Sequence, residues 1–180
     1  FHLTPNLPVT TWSNNCYIGI FRVCTSLTQA PSLPATRLAE NCYTSRFYNC
    51  TSLTQAPNLP ATTLANYCYA SMFRGCTSLT QAPNLPATTL ANNCYAEMFY
   101  NCTSLTQVPS LPATTLADSC YLRMFLQCSS LKLSSTKTDE YTQEYRIPSS
   151  GSGITASKAL TGMFVSTGGT FKGIPSIDTT

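Results

Sequence analysis

Apolar and polar positions repeat along this chain at a fixed interval, and the clearest unit is the segment 50–75, CTSLTQAPNLPATTLANYCYASMFRG. The segment 76–101 repeats it almost unchanged, and looser copies occupy 24–49 and 102–127. A fixed period between about 20 and 50 residues is typical of stacked repeats, in which each unit buries its apolar face against its neighbours. The chain is therefore predicted to form a stack of coils rather than one ordinary globular core.

Each unit is predicted to contain two different halves. The segment 78–82 has the pattern of a short strand, which ends at Pro83 because proline has no N–H for a strand ladder. Pro83 and Pro86 then favour an extended corner, since proline fixes φ and disfavours helix in the residue before it. Beyond them, apolar residues recur every four positions, the spacing of one helix face: Leu90, Cys94, Met98 and Cys102.

The two halves differ in the spacing they require between neighbouring coils. Strands pair at about 4.8 Å, whereas packed helices need about 8–10 Å. Unequal spacing bends a stack toward its strand side. The expected fold is an α/β repeat, a curved solenoid with short parallel strands on the concave side and short helices on the convex side.

The repeat pattern divides the chain into two parts. Residues 1–131 are predicted to form the repeat solenoid, with a partial first coil, so that a further coil or cap is expected upstream. Residues 132–180 are predicted to form an inserted β-hairpin and a divergent C-terminal capping coil, in which Met163 and Phe164 take the places of Met98 and Phe99.

The ten cysteines follow the repeat in two columns. On a helix, Cys68 and Cys76 would lie about 12 Å apart, which exceeds the roughly 7 Å limit for a disulfide. Neighbours along a column would be separated by the helix spacing of about 8–10 Å. Buried reduced thiols are therefore favoured, and some disulfides remain an alternative. The expected core thiols are Cys16, Cys24, Cys42, Cys50, Cys68, Cys76, Cys94, Cys102, Cys120 and Cys128.

Composition excludes several classes of partner. Charged residues make up 9% of the chain, against about 25% in an average domain. The net charge of +3 is spread thinly and forms no basic stripe, so nucleic acid is not an expected partner. No apolar run approaches the roughly 20 residues of a membrane span, so no span is expected in this segment.

Catalytic chemistry has little support in the sequence. The only histidine is His2, so the serines and cysteines have no other histidine to act as a base. The cysteine spacing is also unlike the two-to-four-residue separation of zinc ligands. No enzymatic activity, metal site or cofactor is expected.

The motif CTSLxxxPxLP followed by TLAxxCYxxMFxxC resembles the BspA-like leucine-rich repeats of surface proteins from host-associated bacteria and some protists. The resemblance covers 5–131. It implies a fold of the leucine-rich-repeat type, secretion or display on a bacterial cell surface, and binding of host or microbial surface proteins or glycans without enzymatic activity.

Comparison between the repeats suggests two candidate binding surfaces. The helical half varies from coil to coil, which a surface specific for one irregular ligand should do, and drift on a solvated face is the alternative. This candidate convex ridge consists of Arg22, Tyr48, Arg74, Tyr100 and Leu126. The strand half is nearly uniform and suits a repetitive ligand such as a glycan or filament. This candidate concave face consists of Thr54, Gln55, Thr80, Gln81, Thr106 and Gln107.

One further column is predicted to pack between coils rather than to bind a ligand. It consists of Tyr17, Tyr43, Tyr69, Tyr95 and Tyr121. Taken together, the sequence favours a non-enzymatic adhesion or recognition module, part of a longer secreted or surface protein. The alternative is a structural component of a virion or filament that works through self-association.

Overall fold

The computed structural model describes residues 13–132 and 156–168. Within them there is no α-helix and no continuous strand. Strand-like pairing is limited to isolated parallel bridges that join neighbouring coils: Gln29 to Gln55, Arg37 to Thr63, Gln55 to Gln81, and Gln81 to Gln107. The predicted α/β solenoid is therefore wrong in both halves, although the repeated pattern of Cys, Tyr and Phe is present.

Each predicted helix is instead a row of consecutive turns, which we call a turn arc. The turn arcs are 14–23, 40–49, 66–75, 92–101, 118–127 and 157–166. In 92–101 the Met98 N–H donates to the Tyr95 carbonyl three residues earlier, at 3.2 Å. The Phe99 N–H donates to the carbonyl of Met124 in the next coil, at 2.9 Å. An α-helix would direct every N–H to the residue four positions earlier. The turn arc therefore divides its hydrogen bonds between its own turns and the neighbouring coil.

A left-handed backbone at every fourth residue prevents the helix. Asn93, Glu97 and Asn101 have φ angles of 56°, 54° and 58°. L-residues resist this conformation, and glycine and asparagine adopt it most readily. The spacing of four that predicted a helix is the length of this turn unit. It buries residues in adjacent pairs, such as Met98 and Phe99, both 0% exposed.

Both halves of the coil keep a similar distance from the next coil. The turn arcs are hydrogen-bonded across coils, as the bridged segments are, so both sides take the roughly 4.8 Å spacing of strand pairing. Packed helices, whose wider spacing was the reason for curvature, are absent from the described residues. The predicted concave and convex sides are therefore wrong as well.

The core is a set of side-chain columns that run from coil to coil. Cysteine, leucine, methionine, tyrosine and phenylalanine each occupy fixed places in the repeat and are almost entirely buried. The rings of Tyr95 and Tyr121 stack at 5.9 Å, and those of Phe99 and Phe125 stack at 5.5 Å. The predicted packing of the tyrosine column is confirmed.

The turn arc 157–166 continues the stack after a longer interval. The ring of Phe164 stacks on Phe125 at 5.5 Å, and Met163 is fully buried, as predicted. Phe164 is further along the chain from Phe125 than Phe125 is from Phe99, so the connection between these two coils is longer than the others in the column. The predicted hairpin, residues 1–12 of the partial first coil, which include His2, and the end of the predicted cap lie outside the described residues.

Candidate binding surfaces

The predicted threonine and glutamine positions form in-register rows, which we call the Thr/Gln face. All six side chains are exposed: Thr54, Gln55, Thr80, Gln81, Thr106 and Gln107. Backbone bridges at the glutamines set their register from coil to coil. The N–H and hydroxyl of Thr106 both donate to the Thr80 carbonyl, each at 3.2 Å. The face thus presents the same pair of polar groups once per coil.

A groove of about 320 Å³ lies beside this face, between two neighbouring coils. Its lining comes from matching segments of the two coils: Gln81, Ala82, Pro83 and Asn84, and Gln107, Val108, Pro109 and Ser110. Proline-fixed backbone and amide side chains form its walls, so it offers shaped polar contacts without charge.

Four of the five predicted ridge residues form a stacked ladder, which we call the Arg/Tyr ridge. The guanidinium carbon of Arg22 lies 4.7 Å from the centroid of the Tyr48 ring. The guanidinium carbon of Arg74 lies 5.7 Å from the Tyr48 centroid and 4.2 Å from that of Tyr100. Leu126 is half-buried and carries no planar group to extend the ladder. The predicted row is therefore a cation–π ladder in which each arginine stacks on a tyrosine of a neighbouring coil.

Glu97 belongs to the same surface, although it was not among the predicted site residues. Its carboxylate contacts the Arg74 guanidinium and lies 3.7 Å from Nη1 of Arg123. The side chain of Arg123 is 54% exposed and that of Glu97 is 20% exposed. The repeat could have revealed this cluster, because Glu97 and Arg123 occupy the same place in successive copies and must lie in adjacent coils.

The ten cysteines are all free thiols. Eight are buried, Cys16 is half-buried and Cys24 is exposed, so Cys24 does not lie in the core. Four of the buried thiols donate to a phenylalanine carbonyl in the preceding coil: Cys50 to Phe21, Cys76 to Phe47, Cys102 to Phe73 and Cys128 to Phe99, at 2.9–3.1 Å. The wide helix spacing used to argue against column disulfides does not apply, because the turn arcs are hydrogen-bonded to one another.

Burial makes these thiols poor nucleophiles. Loss of hydration raises the pKa of Cys94 and Cys128 from the ordinary 9.0 to about 12. The same cause raises the pKa of Cys50 and Cys120 to about 11. A thiolate is the reactive form of cysteine, so these side chains act at neutral pH as small apolar groups.

Arg46 is a buried cation that the sequence analysis missed. It is 0% exposed, and its three side-chain nitrogens have no hydrogen-bond partner among the described residues. Its guanidinium carbon lies 5.0–5.7 Å from four ring centroids, those of Tyr17, Phe21, Tyr43 and Phe47. Burial lowers its pKa. One sequence signal was available: the following coils have methionine at this place.

The described residues contain no group of three or more His, Cys, Asp or Glu side chains that could hold a metal ion. They also include no helix long and apolar enough to cross a membrane. Comparison of the chain with protein-family models, curated proteins and solved structures finds no match. The resemblance to BspA-like repeats therefore stays a prediction.

Proposed function

We propose that this chain is a non-enzymatic recognition module that binds an extended glycan or protein ligand along the Thr/Gln face. One observation carries the proposal: the same exposed threonine and glutamine pair recurs in register on successive coils. Secretion or display on a bacterial surface is part of the proposal and rests on the sequence resemblance alone.

The chemistry of the face suits a repetitive, uncharged ligand. Threonine hydroxyls and glutamine amides both donate and accept hydrogen bonds, as sugar hydroxyls do. The coil stack fixes the backbone beneath them, which lowers the entropy cost of ordering a bound chain. A ligand that repeats along its length could bind several coils at once, and each added contact would be intramolecular. Weak individual contacts would then give useful affinity.

The test compares two triple variants of the whole chain on arrays of neutral glycans and extracellular matrix proteins. The first carries Gln55→Ala, Gln81→Ala and Gln107→Ala. The matched control carries Thr62→Ala, Thr88→Ala and Thr114→Ala, which removes exposed side chains from the same coils outside the face. We expect the affinity to fall at least about tenfold, the effect of losing one hydrogen bond, in the first variant only. Equal binding by both variants, or no binding by the unchanged chain, would contradict the proposal.

A second candidate function is a structural role through self-association. It is favoured by three apolar side chains on the turn arc 14–23, which are about half exposed: Ile18, Ile20 and Val23, at 47%, 49% and 55%. Sedimentation at rising concentration tests it, with Ile18→Ser and Ile20→Ser as the disrupting pair. Association that the pair abolishes supports this role, and a monomer at high micromolar concentration excludes it.

A further inference from the structure

Three arginines that are at least partly exposed lie on alternate turn arcs. Arg22 lies on 14–23, Arg74 on 66–75 and Arg123 on 118–127, whereas Arg46 on 40–49 is buried. Tyr48 and Tyr100 occupy the coils between them. Arg22 and Arg74 occupy the same place in the repeat, so at about 4.8 Å per coil they lie roughly 10 Å apart along the stack. Arg123 occupies the place of Glu97, beside that row.

Stacking leaves the hydrogen-bonding edge of a guanidinium available. Cation–π contact uses the planar face, while the five N–H groups point outward in the plane of the group. Arg22 is exposed, and among the described residues no carboxylate lies within ion-pairing distance of it. The tyrosine rings therefore hold guanidinium groups in place for bidentate binding of carboxylate or sulfate groups.

Glu97 already occupies the place that a ligand anion would take at the other two arginines. Its two carboxylate oxygens face Arg74 and Arg123. The ridge together with Arg123 and Glu97 consequently has three cations and one anion, and the anion contacts both Arg74 and Arg123. A bound polyanion would have to displace Glu97, so this carboxylate is expected to weaken binding rather than to assist it.

We propose that the Arg/Tyr ridge, together with Arg123, binds a linear polysaccharide that carries carboxylate or sulfate groups. The two-coil interval between Arg22 and Arg74 favours a polymer with a regular charge repeat, because acidic groups on a protein surface are irregularly placed. The spacing is comparable to two sugar residues of an extended chain. This surface is separate from the Thr/Gln face, so either proposal can fail while the other stands.

The experiment measures binding of dextran sulfate, polygalacturonate, poly-glutamate and neutral dextran to the whole chain at two salt concentrations. The variants are Arg22→Ala, Arg22→Lys and Glu97→Gln. Arg37→Ala is the matched control, because Arg37 is an exposed arginine outside the turn arcs and its bridge to Thr63 is made by the backbone.

The unchanged chain should bind the two charged polysaccharides, more weakly as salt rises, and should not bind dextran. Arg22→Ala should weaken binding about tenfold, the loss of one charge-assisted contact, and Arg22→Lys should recover part of it. Glu97→Gln should tighten binding several-fold, and Arg37→Ala should leave it unchanged.

Four results would overturn the proposal. They are no binding of either charged polysaccharide, an equal loss in Arg37→Ala, no gain in Glu97→Gln, and equally tight binding of poly-glutamate. The last result would assign the ridge to an acidic protein instead of a glycan.

Discussion

Single residues with a left-handed backbone give each turn arc its shape. Asparagine and glycine occupy some of these places, including Asn41, Asn49 and Gly75, and they tolerate a positive φ. Bulkier residues occupy the equivalent places elsewhere, including Tyr67 and Gln127, with φ angles of 57° and 63°. These residues carry backbone strain that the packed core and the hydrogen bonds between coils must offset.

Gln127 offers a test of this strain because its side chain is exposed. Gln127→Gly should raise the free energy of unfolding by about 1 kcal/mol, since glycine adopts φ 63° without steric cost. In an α-helix the same change would lower it by about 1 kcal/mol. Urea titration measures the sign. Thr54→Gly, at an exposed residue without a positive φ, is the control and should destabilise by roughly 0.5–1 kcal/mol.

Arg46 places a charge that has no hydrogen-bond partner among the described residues where the following coils have methionine. A buried cation is costly unless its donors are satisfied, and four aromatic rings offset only part of that cost. Arg46→Met should therefore stabilise the chain, by about 1–3 kcal/mol on the scale seen when buried charges are replaced by apolar residues. Thermal unfolding measures the change, with the exposed Arg37→Met as control. A lower melting temperature for Arg46→Met would show that the guanidinium has a partner which the burial argument does not include.

At the scale of the element, the repeated coils contribute eight buried thiols whose charge state is linked to folding. The unfolded chain releases thiol protons above pH 9.0, whereas burial raises the pKa of Cys94 and Cys128 to about 12 in the folded chain. The folded state therefore holds more protons between these values. The contribution of the buried, protonated thiols to the free energy of unfolding is complete below pH 9.0 and is lost progressively as pH rises toward 12.

The free energy of unfolding should consequently fall with pH above this threshold. Each such thiol adds a slope of up to about 1.4 kcal/mol per pH unit. Denaturant titrations in steps from neutral to alkaline pH, under reducing conditions, measure it. Cys94→Ala should reduce the slope of the free energy of unfolding against pH by the contribution of one thiol. Cys94→Ala with Cys128→Ala should reduce it by the contribution of two. A slope that neither variant changes would contradict the account of the buried thiols.

At the scale of the whole molecule, the sequence predicts the stack and its core better than its backbone. The period placed the tyrosine column and identified Met163 and Phe164 as the continuation of the core, because side-chain identity at fixed spacing reports burial directly. It could not separate helix from turn arc by apolar spacing alone, since Leu90, Cys94 and Met98 recur every four residues in either structure. The signal that separates them lies at the polar positions between the apolar ones, where Asn93 and Asn101 take a left-handed backbone.

For the binding surfaces, too, the sequence predicts which residues are exposed better than it predicts their contacts. Exposure of the Thr/Gln face follows from the repeat, because each polar pair comes directly after a buried leucine such as Leu79 or Leu105. Stacking of Arg22 on Tyr48 requires the close coil spacing of the turn arcs, and the predicted helices would have kept the coils too far apart. The environment of Arg46 depends on four rings from two coils, and no local pattern reveals it.

The claim that the coils are built from turn arcs rather than helices is tested most directly by the hydrogen bond of the Phe99 amide. Scalar coupling across hydrogen bonds, measured by NMR on the labelled chain, identifies the carbonyl that accepts this N–H. The turn-arc stack predicts coupling to Met124 in the next coil, and coupling of the Met98 amide to Tyr95. Coupling of the Phe99 amide to Tyr95, four residues earlier, would show an α-helix and contradict the account.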